Sequence, residues 1–147
     1  MTIKIREADE RDFEQIVELF TEFSVFEKHP EKMDNSVERM RTEKDYFHCY
    51  IAETTGEKIV GYVSYFFCYY TWTGKSIYMD DLYIKPEYRG KGTGSLLIQK
   101  VIDLGKETKC RKLRWQVSHW NQPAIDFYKS LGAEIDNNEQ NCDLILN

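Results

Sequence analysis

The segment Arg89-Gly90-Lys91-Gly92-Thr93-Gly94 constrains the fold more than any other, because it joins a strand-like run, SIYMDDLYI, to a helix-like one. From Thr93 to about Lys106, Leu97, Ile98, Val101 and Ile102 recur at the spacing of a buried helical stripe. A strand that enters a glycine turn and leaves as a helix needs a crossover back to its sheet, so the fold must mix helices and strands. Backbone N–H groups at a helix N-terminus, cleared of side chains by glycine, bind anions, and Arg89 and Lys91 add positive charge. The loop suits a phosphate or pyrophosphate. A P-loop is excluded, because the glycine required five positions before Gly74-Lys75-Ser76 is Tyr69. A dinucleotide fingerprint starting at Gly90 fails at Ser95, where glycine is needed.

Upstream, residues 2–7 alternate as a short strand, and Asp9 with Asp12 opens a helix carrying Phe13, Ile16, Val17, Phe20 and Phe23 on one face, ending near Phe26. Residues 33–44 form a weaker, charged helix candidate. YFHCYIAE, then IVGYVSYFFCYY after the Gly56 turn, then SIYMDDLYI after Thr73-Gly74-Lys75, read as an antiparallel meander over residues 46–84. Downstream come a strand KLRWQV, a short helix after Asn121, and terminal strands near Ala133 and Asp143. The 147 residues hold no repeats or linkers, so a single α+β domain over 1–147 is expected.

Twenty Lys plus Arg against 25 Asp plus Glu leave a net charge of -5, which argues against a nucleic-acid binder. Cys49, Cys68, Cys110 and Cys142 lack zinc-ligand spacing, so no metal is expected, and reduced thiols suggest a cytoplasmic protein. No signal-peptide core and no window of 18 apolar residues occur, so no membrane association is expected.

Two further features carry chemistry. Asp80-Asp81 interrupts a strand, where aspartate is disfavoured and adjacent residues point to opposite faces, so a ligand, a base role or a salt bridge must account for them. In the segment from Trp120 to Gly132, Asn121 caps a helix, Pro123 fits its first turn and Gly132 ends it, while Tyr128 shares a face with Ala124, Phe127 and Leu131. Periodicity alone makes Tyr128 a core aromatic with a polar tip.

Arg89 to Gly94 matches the (Arg/Gln)-x-x-Gly-x-(Gly/Ala) coenzyme A motif of the GNAT N-acetyltransferase superfamily, and Asn121 with Phe127-Tyr128 resembles that superfamily's later motif. The order of motifs agrees along nearly the whole chain. Trp72 to Lys75, Tyr78 to Leu82, Tyr88 to Gly90, Trp120-Asn121 and Phe127 to Lys129 are similar to the spermidine/spermine (diamine) and thialysine acetyltransferase branch. The resemblance implies a GNAT-like mixed, mostly antiparallel central sheet flanked by helices. It also implies acetyl transfer from acetyl-CoA to a primary amine by direct attack in a ternary complex, with no metal.

Under that resemblance Leu82, Tyr83 and Ile84 lie along the pantetheine, with the N–H groups of Leu82 and Ile84 holding it. Arg89, Gly90, Lys91, Gly92, Thr93 and Gly94 surround the pyrophosphate, and Asn121, Phe127 and Lys129 complete the cofactor site. Tyr128 is the implied general acid on the departing thiolate. Glu27, Trp72, Asp80 and Asp81 are the implied amine-binding residues, with Glu27 and Asp81 also in the catalytic set. A diamine, a polyamine or a lysine-like amine is the implied acceptor. Glu139-Gln140 stands where the polyamine enzymes tend to have two acids. Other acceptors (an aminoglycoside-like amine, a protein N-terminus or a protein lysine) and a non-enzymatic CoA sensor or partner subunit remain alternatives. The family usually forms homodimers, and the aromatics from Tyr62 to Trp72 serve equally well as interface or packing.

An alkylammonium, with a reference pKa of about 10.4, must lose a proton before attacking, so carboxylates are suited to bind it and then take or relay that proton. A phenol near 10 can partly protonate a thiolate whose conjugate thiol has a pKa of about 8.5.

Overall fold

The computed structural model describes residues 2–147, which divide into two compact units meeting in sequence at Gln116/Val117. In the first unit five strands lie in sequence order: β1 (Ile3–Glu7), β2 (His48–Thr54), β3 (Ile59–Tyr70), β4 (Gly74–Ile84) and β5 (Leu113–Arg114). The first four pair antiparallel and β5 joins β4 in parallel, so the expected mixed, mostly antiparallel α+β sheet is present.

Helix α1 (Phe13–Phe26) follows a capping box between Asp9 and Asp12. Its Phe13, Ile16 and Leu19 bury against Cys49, Ile51, Ile59, Tyr62 and Tyr83 of the sheet, joined by Met40 of helix α2 (Val37–Thr42). Ile16 at 0% and Leu19 at 1% exposure are fully enclosed, each contributing about 2 kcal/mol of apolar transfer. On the opposite face lies helix α3 (Thr93–Glu107), with Leu97, Ile98 and Val101 buried and Gly105 against Ile77. Layers on both faces of a sheet are the ordinary way to cover its two apolar surfaces. The β3–β4 contact requires Gly61, because a Cβ there would come within 2.6 Å of Ile84 Cδ1 and 2.9 Å of the Tyr83 carbonyl oxygen.

The second unit holds helix α4 (Gln122–Ser130), capped by Asn121 as expected. Two expectations need correction. KLRWQV is a strand only at Leu113–Arg114, and no strand forms near Ala133 or Asp143. Ala133 and Gly132 spend their N–H groups closing α4, on the carbonyls of Tyr128 and Lys129, with Gly132 at φ 90. Farther on, the Asn138 N–H bonds to Asp136 Oδ1 at 2.8 Å, a local turn that competes with a ladder.

Candidate active site

Strand β4 carries the site because its two edges are treated differently. Only Ile77 and Tyr78 pair with β5, and beyond Tyr78 no strand among the described residues pairs with that edge. The other edge stays paired with β3 to Ile84. Along it the Asp81 N–H donates to Ser64 Oγ at 3.2 Å and the Lys85 N–H to the Val60 carbonyl at 2.8 Å. Strand alternation therefore aims the N–H groups of Leu82 and Ile84 at the unpaired edge.

The register also corrects the reading that Asp80 and Asp81 face opposite ways. Met79 stands opposite Tyr65 and Asp81 opposite Ser64, leaving Asp80 as the extra residue of a β-bulge. Met79 shares the face of Ile77, which lies against α3, whereas Asp81 shares the face of Tyr83, which packs on Phe23 and Phe26 of α1. Stepping from Met79, Asp80 turns to the α1 side as well. One inserted residue brings two carboxylates to one face.

Three acids gather there. Glu27 forms the C-cap of α1, where Lys28 at φ 68 and the His29 N–H on Ser24 O turn the chain sharply. Burial raises the Asp80 carboxyl. Asp81 is pushed up to about 7 by burial first and then by the charge of Asp80, with Glu27 adding, while a hydrogen bond from Tyr62 pulls the other way. That bond runs from the Tyr62 hydroxyl to Asp81 Oδ2 at 2.7 Å, and Tyr62 is 0% exposed. Tyr83 and Lys85 hold the end of β4 to α1 through Glu22.

The glycine loop opens α3. Gly90 at φ 75 and Gly92 at φ 83 occupy the left-handed region that glycine reaches without strain, and Gly92 is an N-cap with no side-chain hydrogen bond. The first N–H groups of the helix have no intrahelical acceptor. A Cβ at Gly90, Gly92 or Gly94 would meet nothing within 4 Å, so the bare backbone borders open space. Thr93 is buried beneath it. Such a cradle suits an anionic pyrophosphate, and the outward N–H groups of Leu82 and Ile84 suit an amide-bearing arm.

Arg89, expected to add charge to that cradle, is held by contacts of its own. Its Nε donates to the Ile84 carbonyl at 2.7 Å, and its guanidinium lies 4.8 Å over the Phe26 ring and 5.3 Å over Tyr83. Arg89 clasps the end of β4 to the end of α1. Lys91 lies 5.8 Å over Tyr88.

Trp72 stands 97% exposed at the tip of the β3–β4 hairpin. Asp81 lies seven residue steps along β4 from Gly74, so about 23 Å of β4 separates that tip from the acids, and the structure does not bring Trp72 to them. In the second unit, Tyr128 is buried on α4 with its ring 5.5 Å from Phe127, Asn121 Oδ1 accepts the Ala124 N–H at 3.3 Å, and Lys129 is exposed. Sequence reasoning missed Tyr62 and Ser64, because only cross-strand register relates them to Asp81.

The fold and this strand edge define an acetyltransferase arrangement, and the profile of the acetyltransferase (GNAT) family matches residues 13–133. The chain belongs to that family and is an N-acetyltransferase. It is 41% identical over 143 residues to the thialysine N-epsilon-acetyltransferase of Sus scrofa, covering 90% of this chain and 84% of that one. It is 31% identical to the spermidine/spermine N(1)-acetyltransferase-like protein 1 of Homo sapiens, over 88% of this chain and 20% of that protein. An aminoglycoside acetyltransferase from an uncultured soil metagenomic sample shares the fold at TM-score 0.81 and 20% identity, over 99% of this chain and 100% of that one. The family uses acetyl-CoA as cosubstrate. Among the described residues no His, Cys, Asp or Glu cluster forms a metal site and no helix is long and apolar enough to cross a membrane.

Proposed function

We propose that residues 1–147 act as one domain that transfers acetyl from acetyl-CoA to the primary amine of a diamine, polyamine or lysine-like small molecule, by direct attack in a ternary complex. The observation that carries this reading is the gathering of Glu27, Asp80 and Asp81 on the α1 side of the strand whose opposite edge offers the N–H groups of Leu82 and Ile84. The likeness to thialysine and spermidine/spermine-type relatives supports the acceptor class.

In this reading Leu82 and Ile84 hold the pantetheine and thioester carbonyl by their N–H groups, and the backbone from Lys91 to Gly94 holds the pyrophosphate. Asn121, Phe127 and Lys129 contribute from α4. The acids bind the substrate ammonium and take its proton, directly or through water. The freed amine attacks the carbonyl carbon, the C–N bond forms as the C–S bond breaks, the nitrogen gives its second proton to solvent as the amide forms, and Tyr128 gives its proton to the thiolate and regains one from solvent. A carboxylate 5 Å from an ammonium contributes roughly 3 kcal/mol at an effective dielectric near 20, enough to favour a dication over a monoamine. Family resemblance supports a homodimer, and the four free cysteines support a cytoplasmic location.

A thiol-release assay with acetyl-CoA and a panel of amines tests the proposal. Thialysine, lysine, ornithine and short diamines should turn over at least tenfold faster than monoamines of equal length. Faster turnover of aminoglycosides or peptide N-termini would replace the acceptor class, and binding of acetyl-CoA without turnover of any amine would replace the activity.

A further inference from the structure

We propose that Tyr62 is a positioning residue for the acetyl-transfer step, its buried hydroxyl fixing one oxygen of Asp81 so that the other meets the incoming amine. The inference rests on the reading of Asp81 as an amine-facing carboxylate.

Tyr62 lies inside the core, fully enclosed, with its ring edge-on to Phe20 of α1 at 5.3 Å. From there its hydroxyl reaches Asp81 Oδ2 at 2.7 Å, while the backbone of the same aspartate is held through its N–H on Ser64 Oγ. Two positions of β3, two residues apart, thus fix both the main chain and the side chain at the bulge. A core tyrosine needs an acceptor for its hydroxyl, and a leucine or phenylalanine would fill the same space without one. Here the acceptor is a carboxylate beside two other acids.

The groups facing Asp81 account for what the hydroxyl does. Asp80 on the same strand and Glu27 at the end of α1 both favour its protonated form, as does burial. Cys49 on β2 and Tyr78 on β4 lie within its field, and burial holds the Cys49 thiol well up, so neither adds a positive charge. Among the described residues that act on Asp81, Tyr62 favours its ionised form. Burial and the aspartate push its own phenol well up, so it remains a donor throughout the working range. Without it the balance at Asp81 moves further toward the protonated form, which cannot accept a proton from the ammonium.

The test compares the wild-type chain with Tyr62→Phe, which keeps the ring and deletes the hydroxyl. The Asp81 side-chain carboxyl is followed by 13C NMR against pH, with Asp81→Asn identifying its resonance. The midpoint in Tyr62→Phe should rise by about one pH unit, and the acid limb of the amine kcat/KM should move up with it, a roughly tenfold loss at pH 6, while the acetyl-CoA KM stays within twofold. An unmoved midpoint overturns the inference, because a purely structural Tyr62 would change unfolding and not this titration. A midpoint that moves while the pH–rate profile stays put also overturns it, with amine acetylation left standing. Failure of the proposed function is a separate result: no amine acetylated by the wild-type chain. Should Tyr62→Phe not fold, 3-fluorotyrosine placed at position 62, a more acidic donor of nearly the same shape, must shift the midpoint the opposite way.

Discussion

At the scale of single residues, Asp81 shows how placement changes an ordinary side chain. In an unfolded chain its carboxyl would titrate at about 3.9, whereas here burial and the neighbouring acids push it up to about 7. Between those values the folded chain binds a proton that the unfolded chain does not, so stability from this group falls as pH rises and is lowest above about 7. The Asp12 carboxyl moves the other way: burial opposes its ionisation, but the Arg6 guanidinium, at 2.8 Å from both oxygens, holds it below the usual range. Stability from Asp12 is present above the unfolded value and lost as pH falls, so the two acids have opposite pH signatures. Asp81→Asn keeps an acceptor for Tyr62 and removes the buried charge. It should stabilise the chain by on the order of 2 kcal/mol at pH 8 and hardly at all at pH 4, read from denaturant unfolding at both values. An equal difference at both pH values would remove the buried charge from this explanation.

At the scale of elements, Gly94 separates what the fold needs from what a ligand needs. It lies in the first turn of α3, has no left-handed backbone angle, and has nothing near its missing side chain, so helix packing does not require glycine. Gly94→Ala should therefore raise stability, by up to about 1 kcal/mol from helix propensity, while the added methyl group obstructs a pyrophosphate and raises the acetyl-CoA KM about tenfold. A higher melting temperature with unchanged KM would move the cosubstrate away from this loop. The contrast with Gly61, which the β3–β4 contact does demand, was invisible in the sequence, where both are simply glycines. What was legible were elements with a strong period: α1, α3 and the three meander strands agree with the expected spans within a few residues. What was not legible depended on partners distant in sequence. Strand alternation put Asp80 and Asp81 on opposite faces until pairing with Ser64 and Tyr65 revealed the bulge. KLRWQV has the composition of a longer strand, but β4 offers it only Ile77 and Tyr78. The chain order gave no sign that Arg89 also meets Phe26, Tyr83 and the Ile84 carbonyl.

For the whole molecule, the net charge of -5 matters less than its distribution. Lys91 stands at the loop suited to an anionic cosubstrate, and Glu27, Asp80 and Asp81 gather where a cation is proposed to approach. Raising ionic strength from 0.05 to 0.5 M should lower kcat/KM for a diamine severalfold more than for a neutral-chain monoamine, because the monoamine offers the acids one charge and the diamine two. Equal sensitivity of the two substrates would assign the acids a structural role. The half of β4 that parts from β5 has a cost of its own. A row of outward N–H groups on an unpaired strand edge donates to the carbonyls of any extended chain of amides, a stray peptide as well as a pantetheine arm. If the cosubstrate occupies this opening as proposed, an empty enzyme is most exposed to unwanted strand pairing there, and the solubility of the chain should follow the supply of its acyl carrier.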